Sequence, residues 1–265
     1  MAHLNIDKLE AATLQREPYL YTIVPGFLSP ESVRRINATY PRIEKGGSYP
    51  IESLEAGMTI KEVIEELDGP AFQKAIEAKF REAAIVWVHR WNAGLMSFRV
   101  RRDPAYRFKA GQFARIGLVT ESGETLWRAY SIVSSPHEDA LEFFLVVLPN
   151  GAFSSRVGRF NVGDSILVEH EPQGFLTLDR FANWADGPRD LWLMATGTGL
   201  APYISMLRDS TVWSLFDNIV LVLSVRERSD LAYEEELHAL AEAIPTAGRA
   251  RFKYVVTLTR DTRHG

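Results

Sequence analysis

The chain has 265 residues and a formal net charge of −4, which gives no electrostatic case for nucleic acid as its main partner. It contains no cysteine, which excludes disulfides, thiolate-held iron–sulfur clusters and cysteine nucleophiles. No apolar run approaches the ~20 residues of a membrane span, and MAHLNIDKLEAATLQ lacks the apolar core of a secretory signal. A cytoplasmic protein with no membrane partner is therefore expected.

Residues 1–83 read mainly as helices. Ser29-Pro30 offers an N-cap followed by a proline at the first helical position, with Val33, Ile36 and Tyr40 at helical spacing. Thr59 and Glu62 have the spacing of a capping box, ahead of an apolar stripe of Ile60, Val63, Ile64 and Leu67. Asp68-Gly69-Pro70 ends that helix and opens another, whose apolar face includes Phe72, Ile76 and Phe80.

The period changes near residue 85. IVWVHRW, LMSFRVRR, QFARIGLV, LWRAYSIV, LEFFLVVL and DSILVEHE are six β-rich runs separated by turn residues, and they predict an antiparallel barrel or sandwich. From 190 the pattern becomes LWLMAT, Gly-Thr-Gly, a helix through APYISMLRD, NIVLVLSV, a helix through LAYEEELHALAEAI, and RFKYVVTLT. That βαβαβ order predicts a parallel sheet.

Three stretches can carry chemistry. In RAYS, strand alternation sets Arg128 and Tyr130 on one face and Ala129 and Ser131 on the other. Arginine can fork onto a phosphate, tyrosine can stack on a planar ring, and a serine hydroxyl can approach a ring nitrogen. Taken alone, the four residues are equally well explained by an exposed arginine and a core tyrosine. PNGAFSSRVGRF, 149–160, turns the chain and starts a short helix near Ala152–Ser154, whose free N–H groups suit a pyrophosphate; by itself it also reads as an ordinary turn. ATGTGLAP, 195–202, follows a buried strand and opens a helix, as a dinucleotide loop does, although it is not the GxGxxG fingerprint.

FKAGQF, RAYSIVSSP, LEFFLVVLPNG, GDSILV, ATGTGLAPY and VLSVRERSDLAY, in this order, make residues ~84–262 similar to a ferredoxin–NADP reductase of the bacterial type. The resemblance implies an FAD-binding β-barrel over 84–185 and a partial NADP-binding α/β domain over 186–265. It implies FAD and NADP(H) as cofactors, and a ferredoxin or flavodoxin exchanging electrons with NADPH. It further implies that Arg128 holds the FAD pyrophosphate, that Tyr130 packs on the isoalloxazine and that Ser131 sits near flavin N5, with Tyr130 and Ser131 as the catalytic pair. Ala129, Leu145, Val146, Val147, Ala152, Phe153 and Ser154 would complete the FAD contacts, with Thr198 reaching across from the second domain. Thr196, Gly197, Gly199 and Thr259 would contact NADP, with Arg226 and Arg260 reading its 2′-phosphate; without the resemblance, each arginine is simply a loop arginine. Arg99, Arg101, Arg102, Arg107 and Lys109 either face an acidic carrier protein or form the solvated side of a strand and its loop.

Two stretches depart from that family. The chain stops at DTRHG, where the family continues, so a three-stranded parallel sheet with an unpaired edge and uncovered apolar surface is expected. Residues ~1–80, through LQREPYLYTIVPGFLSPESVRRINATYP and ELDGPAFQKAIEAKF, instead resemble the N-terminal part of a bacterial 2-oxoglutarate/Fe(II) oxygenase without its iron site. His137-Glu138-Asp139 falls in a turn between barrel strands and is read as no metal site; His170 and His238 read as ordinary histidines. Two other functions remain open at this point. One is a flavin-binding chimera without catalytic competence; the other is an oxygenase-related protein by its leader alone.

Overall fold

In a computed structural model of the chain, the described residues are 2–15, 21–41, 57–120, 124–180, 189–243 and 250–260. The chain divides into two compact units, Met1–Glu82 and Ala83–Gly265.

The described part of the first unit contains helices α1 (Ile6–Ala11), α2 (Pro30–Ala38), α3 (Met58–Leu67) and α4 (Pro70–Arg81). Ser29 caps α2 as its sequence predicts: its hydroxyl accepts from the Ser32 N–H at 3.0 Å, and Pro30 opens the helix. Two sequence expectations fail here. Helix α3 is capped by Gly57 with no side-chain bond, so Thr59 lies inside the first turn and makes no capping box with Glu62. Helix α2 ends at Ala38, so Tyr40 lies beyond it, and both Val33 and Tyr40 are exposed.

The reason is that polar contacts organise this unit. Buried His3 meets Ser32 Oγ at 2.9 Å through Nδ1 and Glu62 Oε2 at 3.0 Å through Nε2. The Glu66 carboxylate accepts the His3 and Leu4 N–H groups at 2.9 Å. Desolvation would raise the Glu66 pKa, but those backbone donors hold it below the usual value. Lys79 Nζ donates to the Glu10 and Ala12 carbonyls at 2.8 and 2.6 Å, tying α4 to the end of α1. Val63 is buried, while Ile60, Ile64, Leu67, Phe72 and Ile76 are half-buried; the Phe80 side chain lies outside the described residues.

The second unit opens with the six predicted strands: β1 (Glu82–Asn92), β2 (Leu95–Arg101), β3 (Phe113–Val119), β4 (Thr125–Ser131), β5 (Ala140–Val146) and β6 (Ser165–Val168). They form one sheet in the order β4-β3-β6-β1-β2-β5, and an antiparallel bridge from Ile132 to Phe143 joins its two ends. Helix α5 (Ser154–Val157) lies between β5 and β6. Met96, Phe98, Val100, Ile116, Leu141, Phe143 and Leu145 pack inside this barrel-like sheet.

The near-continuous apolar runs of β2 and β5 follow from burial on both faces. Their alternate residues Leu95 and Phe144 join the core of the following α/β layer instead. That layer contains β7 (Asp190–Thr196), α6 (Ala201–Arg208), α7 (Val212–Leu215), β8 (Asn218–Val225), α8 (Glu234–Glu242) and β9 (Arg251–Leu258). Its strands are parallel, in the order β7-β8-β9. Leu191, Leu193, Ala195, Ile219, Leu221 and Leu223 cover one face with α6 and α8. On the other face Trp192 and Met194 are 58% and 68% exposed.

The barrel and the α/β layer are joined by a buried charged hub. Arg99 on β2 stands opposite Glu142 on β5, and the two pair at 2.8 Å; Arg208 from α6 reaches the same carboxylate at 2.9 Å. The Tyr233 hydroxyl donates to Glu142 Oε1 at 2.7 Å and lies 2.6 Å from Ser97 Oγ. Arg208 also forks onto Glu236 of α8, with both bonds at 2.8 Å. Burial pushes the Tyr233 phenol well above its usual pKa, with the Glu142 charge adding to the shift. Burial alone would lower the Arg208 pKa, but Glu236 and Glu142 together raise it above its ordinary value.

Candidate functional site

Two regions of the second unit bring together the residues singled out from the sequence. The first lies where β4 meets the turn before α5. Arg128 is exposed, and its Nη1 donates to its neighbour's carbonyl, Trp127 O, at 2.8 Å. Tyr130 is half-buried, with its ring stacked 5.8 Å from Phe153 at 28°. Burial raises the Tyr130 pKa, with Arg128 opposing the shift, so the phenol is neutral at physiological pH. Ala129 is exposed beside them, and Ser131, half-buried, ends the strand opposite Phe113.

The 149–154 turn is tight. A Cβ on Gly151 would come within 2.6 Å of Ser154 Oγ, which itself accepts the Leu148 N–H at 3.1 Å. The N–H groups of Ser155, Arg156 and Val157 find carbonyl partners within the turn and helix. Those of Ala152, Phe153 and Ser154 donate to no other described residue, which leaves three successive backbone donors without an acceptor. This set, with the half-buried Tyr130 ring stacked on Phe153 and the exposed Arg128 two residues before Tyr130 on β4, fits an anion joined to a flat ring system. Leu145 and Phe153 have buried side chains, so contact with a ligand there falls to their backbone; Val146 is exposed and Val147 half-buried.

The second region is a cleft of about 180 Å³ at the carboxyl ends of the parallel strands. Its wall on the barrel side is Leu95 and Val146; on the α/β side it is Thr196, Gly197, Thr198, Ser224, Val225, Arg226, Asp230 and Thr259. Gly197 has φ +53°, and a Cβ at Gly197 or Gly199 would meet no atom within 4 Å. The loop therefore leaves open space at the point where a backbone can approach a dinucleotide closely. The Thr259 N–H bonds to Val225 O at 2.9 Å and the Arg260 N–H to Arg226 O at 3.0 Å, which brings Arg226 and Arg260 to one end of the sheet.

The cleft also contains Asp230 and Leu95, which sequence reasoning missed. Asp230 had a signal, four residues after Arg226; Leu95 had none, because only the packing of barrel against α/β layer brings it there. The basic residues near 100 are mostly occupied: Arg99 by Glu142, Arg102 by the Tyr106, Pro136 and Glu138 carbonyls, Lys109 by Asp179 at 2.7 Å and Arg107 by the Pro104 carbonyl. His137 is exposed, and among the described residues no group of three His, Asp or Glu side chains is placed to hold a metal ion. No helix among them is long and apolar enough to cross a membrane.

Comparison with known proteins agrees with this architecture. An oxidoreductase FAD-binding domain matches residues 88–176, and an oxidoreductase NAD-binding domain matches 193–265. A ferredoxin–NADP reductase of Azotobacter vinelandii is 38% identical over 184 residues, covering 68% of this chain and 69% of its own length. Ferredoxin–NADP reductase A of Sorangium cellulosum is 40% identical over 185 residues, which are 69% of this chain and 65% of that relative's length. A crystal structure of a ferredoxin NADP+ reductase from Neisseria gonorrhoeae with bound FAD and NADP superposes with a TM-score of 0.61 at 36% identity, covering 68% of each chain. With its six-stranded antiparallel sheet, its parallel nucleotide-type layer and these relatives, the chain belongs to the ferredoxin–NADP reductase family.

Proposed function

We propose that the protein is an FAD-dependent oxidoreductase that moves electrons between NADPH and a ferredoxin or flavodoxin. The observation that carries this reading is the pairing, within one unit, of the three donors at 152–154, next to the Phe153 ring that stacks on Tyr130, with the cleft lined by Thr196, Gly197 and Thr198. When bound, FAD supplies the redox chemistry, linking the two-electron donor to one-electron carriers. The chain's own residues bind and orient. Arg128 and the N–H groups of Ala152, Phe153 and Ser154 would hold the pyrophosphate, and Tyr130, kept neutral by burial, would offer a flat face to the ring. Ala129, Ser131 and Leu145 to Val147 would complete the flavin contacts, with Thr198 contributing from the α/β layer. Thr196, Gly197, Gly199 and Thr259 line the nicotinamide nucleotide site, with Arg226 and Arg260 at its 2′-phosphate end.

Arg128→Ala is expected to weaken FAD binding by roughly 1.5–3 kcal/mol, the worth of a charge-assisted contact. Titration of apoprotein with FAD checks this, and an unchanged affinity removes Arg128 from the site. Bleaching of the yellow protein by NADPH tests the activity itself. A protein that binds FAD but is not bleached is the inactive alternative.

The same reading divides the chain into a leader (1–83), an FAD-binding barrel (84–185) and an NADP-binding region (186–265). It includes a cytoplasmic location, since a chain without cysteine needs no oxidising compartment. The leader's resemblance to the start of a 2-oxoglutarate/Fe(II) oxygenase makes it a piece foreign to the flavin site, and the compactness of Met1–Glu82 supports its separate standing. Residues 84–265 expressed alone are expected to keep their flavin; loss of FAD or of a cooperative melt in that fragment would show the leader to be integral.

A further inference from the structure

The charged lining of the nucleotide cleft has one carboxylate among its groups. Asp230 is 19% exposed at the side-chain level, and its Oδ2 lies 3.5 Å from Arg226 Nε. At that distance the two attract as charges without forming a good hydrogen bond. The closest approach is through Nε, and the Arg226 side chain, 63% exposed, makes no hydrogen bond to another described residue that would occupy its fork.

Asp230 is also fixed in place. Its N–H bonds to Glu227 O at 3.0 Å, closing the turn that follows β8. Asn92, the last residue of β1, donates from Nδ2 to Ser229 O at 2.7 Å and lies 3.4 Å from Asp230 Oδ1. The Asn92 amide is itself oriented by the Gly94 N–H, which donates to its Oδ1 at 2.7 Å. The turn that carries Asp230 is therefore held to the barrel through Ser229 O, which keeps the carboxylate next to Arg226.

We propose that Asp230 is a specificity-tuning residue that lowers the cleft's preference for a 2′-phosphorylated nucleotide over its 2′-hydroxyl counterpart. This rests on the reading of the cleft as the NADP site. A 2′-phosphate arriving at Arg226 meets an arginine whose charge is already matched by a fixed carboxylate. Attraction to the cation is offset by repulsion from Asp230, whereas a 2′-hydroxyl, being uncharged, feels neither strongly. The Arg260 backbone is held at the same end of the sheet by its N–H bond to Arg226 O, which brings a second basic residue to that end. The phosphorylated form is thus still preferred, by a margin that Asp230 keeps small.

The test is calorimetric binding of 2′-phospho-AMP and of AMP to the full-length protein and its variants, a readout that needs no turnover. Asp230→Asn preserves shape and removes the charge. It is expected to tighten 2′-phospho-AMP about three- to tenfold, an effect that shrinks at high salt, and to leave AMP unchanged. Asp230→Ser, a second neutral replacement, is expected to act in the same direction. Arg226→Ala is expected to weaken 2′-phospho-AMP alone. If Arg226→Ala weakens binding while both neutral Asp230 variants leave it unchanged or weaker, the tuning role is overturned and the cleft reading stands. If no variant changes either ligand, the cleft reading fails and the proposal fails with it.

Discussion

Replacing Glu142 by alanine is expected to lower the stability of the folded chain by roughly 3–5 kcal/mol, because it takes one of two carboxylates from the mostly buried Arg208 and an acceptor from the buried Tyr233 hydroxyl. Glu142 is fully buried and receives Arg99, Arg208 and the Tyr233 hydroxyl on two oxygens. Arg208 is 16% exposed and keeps Glu236, while Arg99 is 36% exposed and can turn to water. The cost should therefore fall near the lower end of that range. Arg99→Ala gives the contrast. Removing a partner that already reaches solvent should cost about 1 kcal/mol or less. Thermal melts of the two variants check the order, and equal losses would mean that Glu142 is not the centre of the hub. Because the hub joins β2 and β5 to α6 and Tyr233, the alanine variant should also loosen the cleft shared by Leu95, Val146 and the 196–198 loop.

Gly111→Ala is the second large effect. Gly111 has φ +96°, where a side chain is strained by about 1–3 kcal/mol. Space is also lacking: a Cβ would come 1.9 Å from Leu176 O and 2.6 Å from Met206 Cε. The nearer atom belongs to the backbone and cannot rotate aside, so the 111–113 and 173–176 segments must separate, at a further cost of about 1–3 kcal/mol. The expected outcome is a melting temperature lower by roughly 4–24 °C for a unit of this size. Gly163→Ala is the control. Its φ is +100°, but the added Cβ would meet nothing within 4 Å, so only the backbone strain remains. Equal melting temperatures for the two variants would refute the packing argument.

The sequence by itself determined the elements and their order. Each of the six β-rich runs became a strand, and NIVLVLSV became β8 at Asn218–Val225, because alternation and β-branched content act locally. Likewise the Gly-Thr-Gly between a buried run and a helix marked the loop that lines the cleft. Local rules were weakest in the leader. Thr59 and Glu62 had capping-box spacing, but the helix began at Met58, and Glu62 was drawn instead to His3, fifty-nine residues away. Helix α2 ended at Ala38, short of Tyr40, and Val33 stayed without cover, since periodicity marks a face and does not name what covers it.

Only the tertiary structure decided which side chains share a site. Glu142 looks like a routine polar interruption in LEFFLVVL, and its role appears only when Arg208, sixty-six residues later, packs on it. Asp230 sits four residues from Arg226 in the chain, yet the turn that carries it is held by Asn92, more than a hundred residues earlier, through Ser229 O. Hydrophobic period is set by a few neighbouring residues, whereas the meeting of charges depends on how whole layers pack, and that information is spread over the full length of the chain.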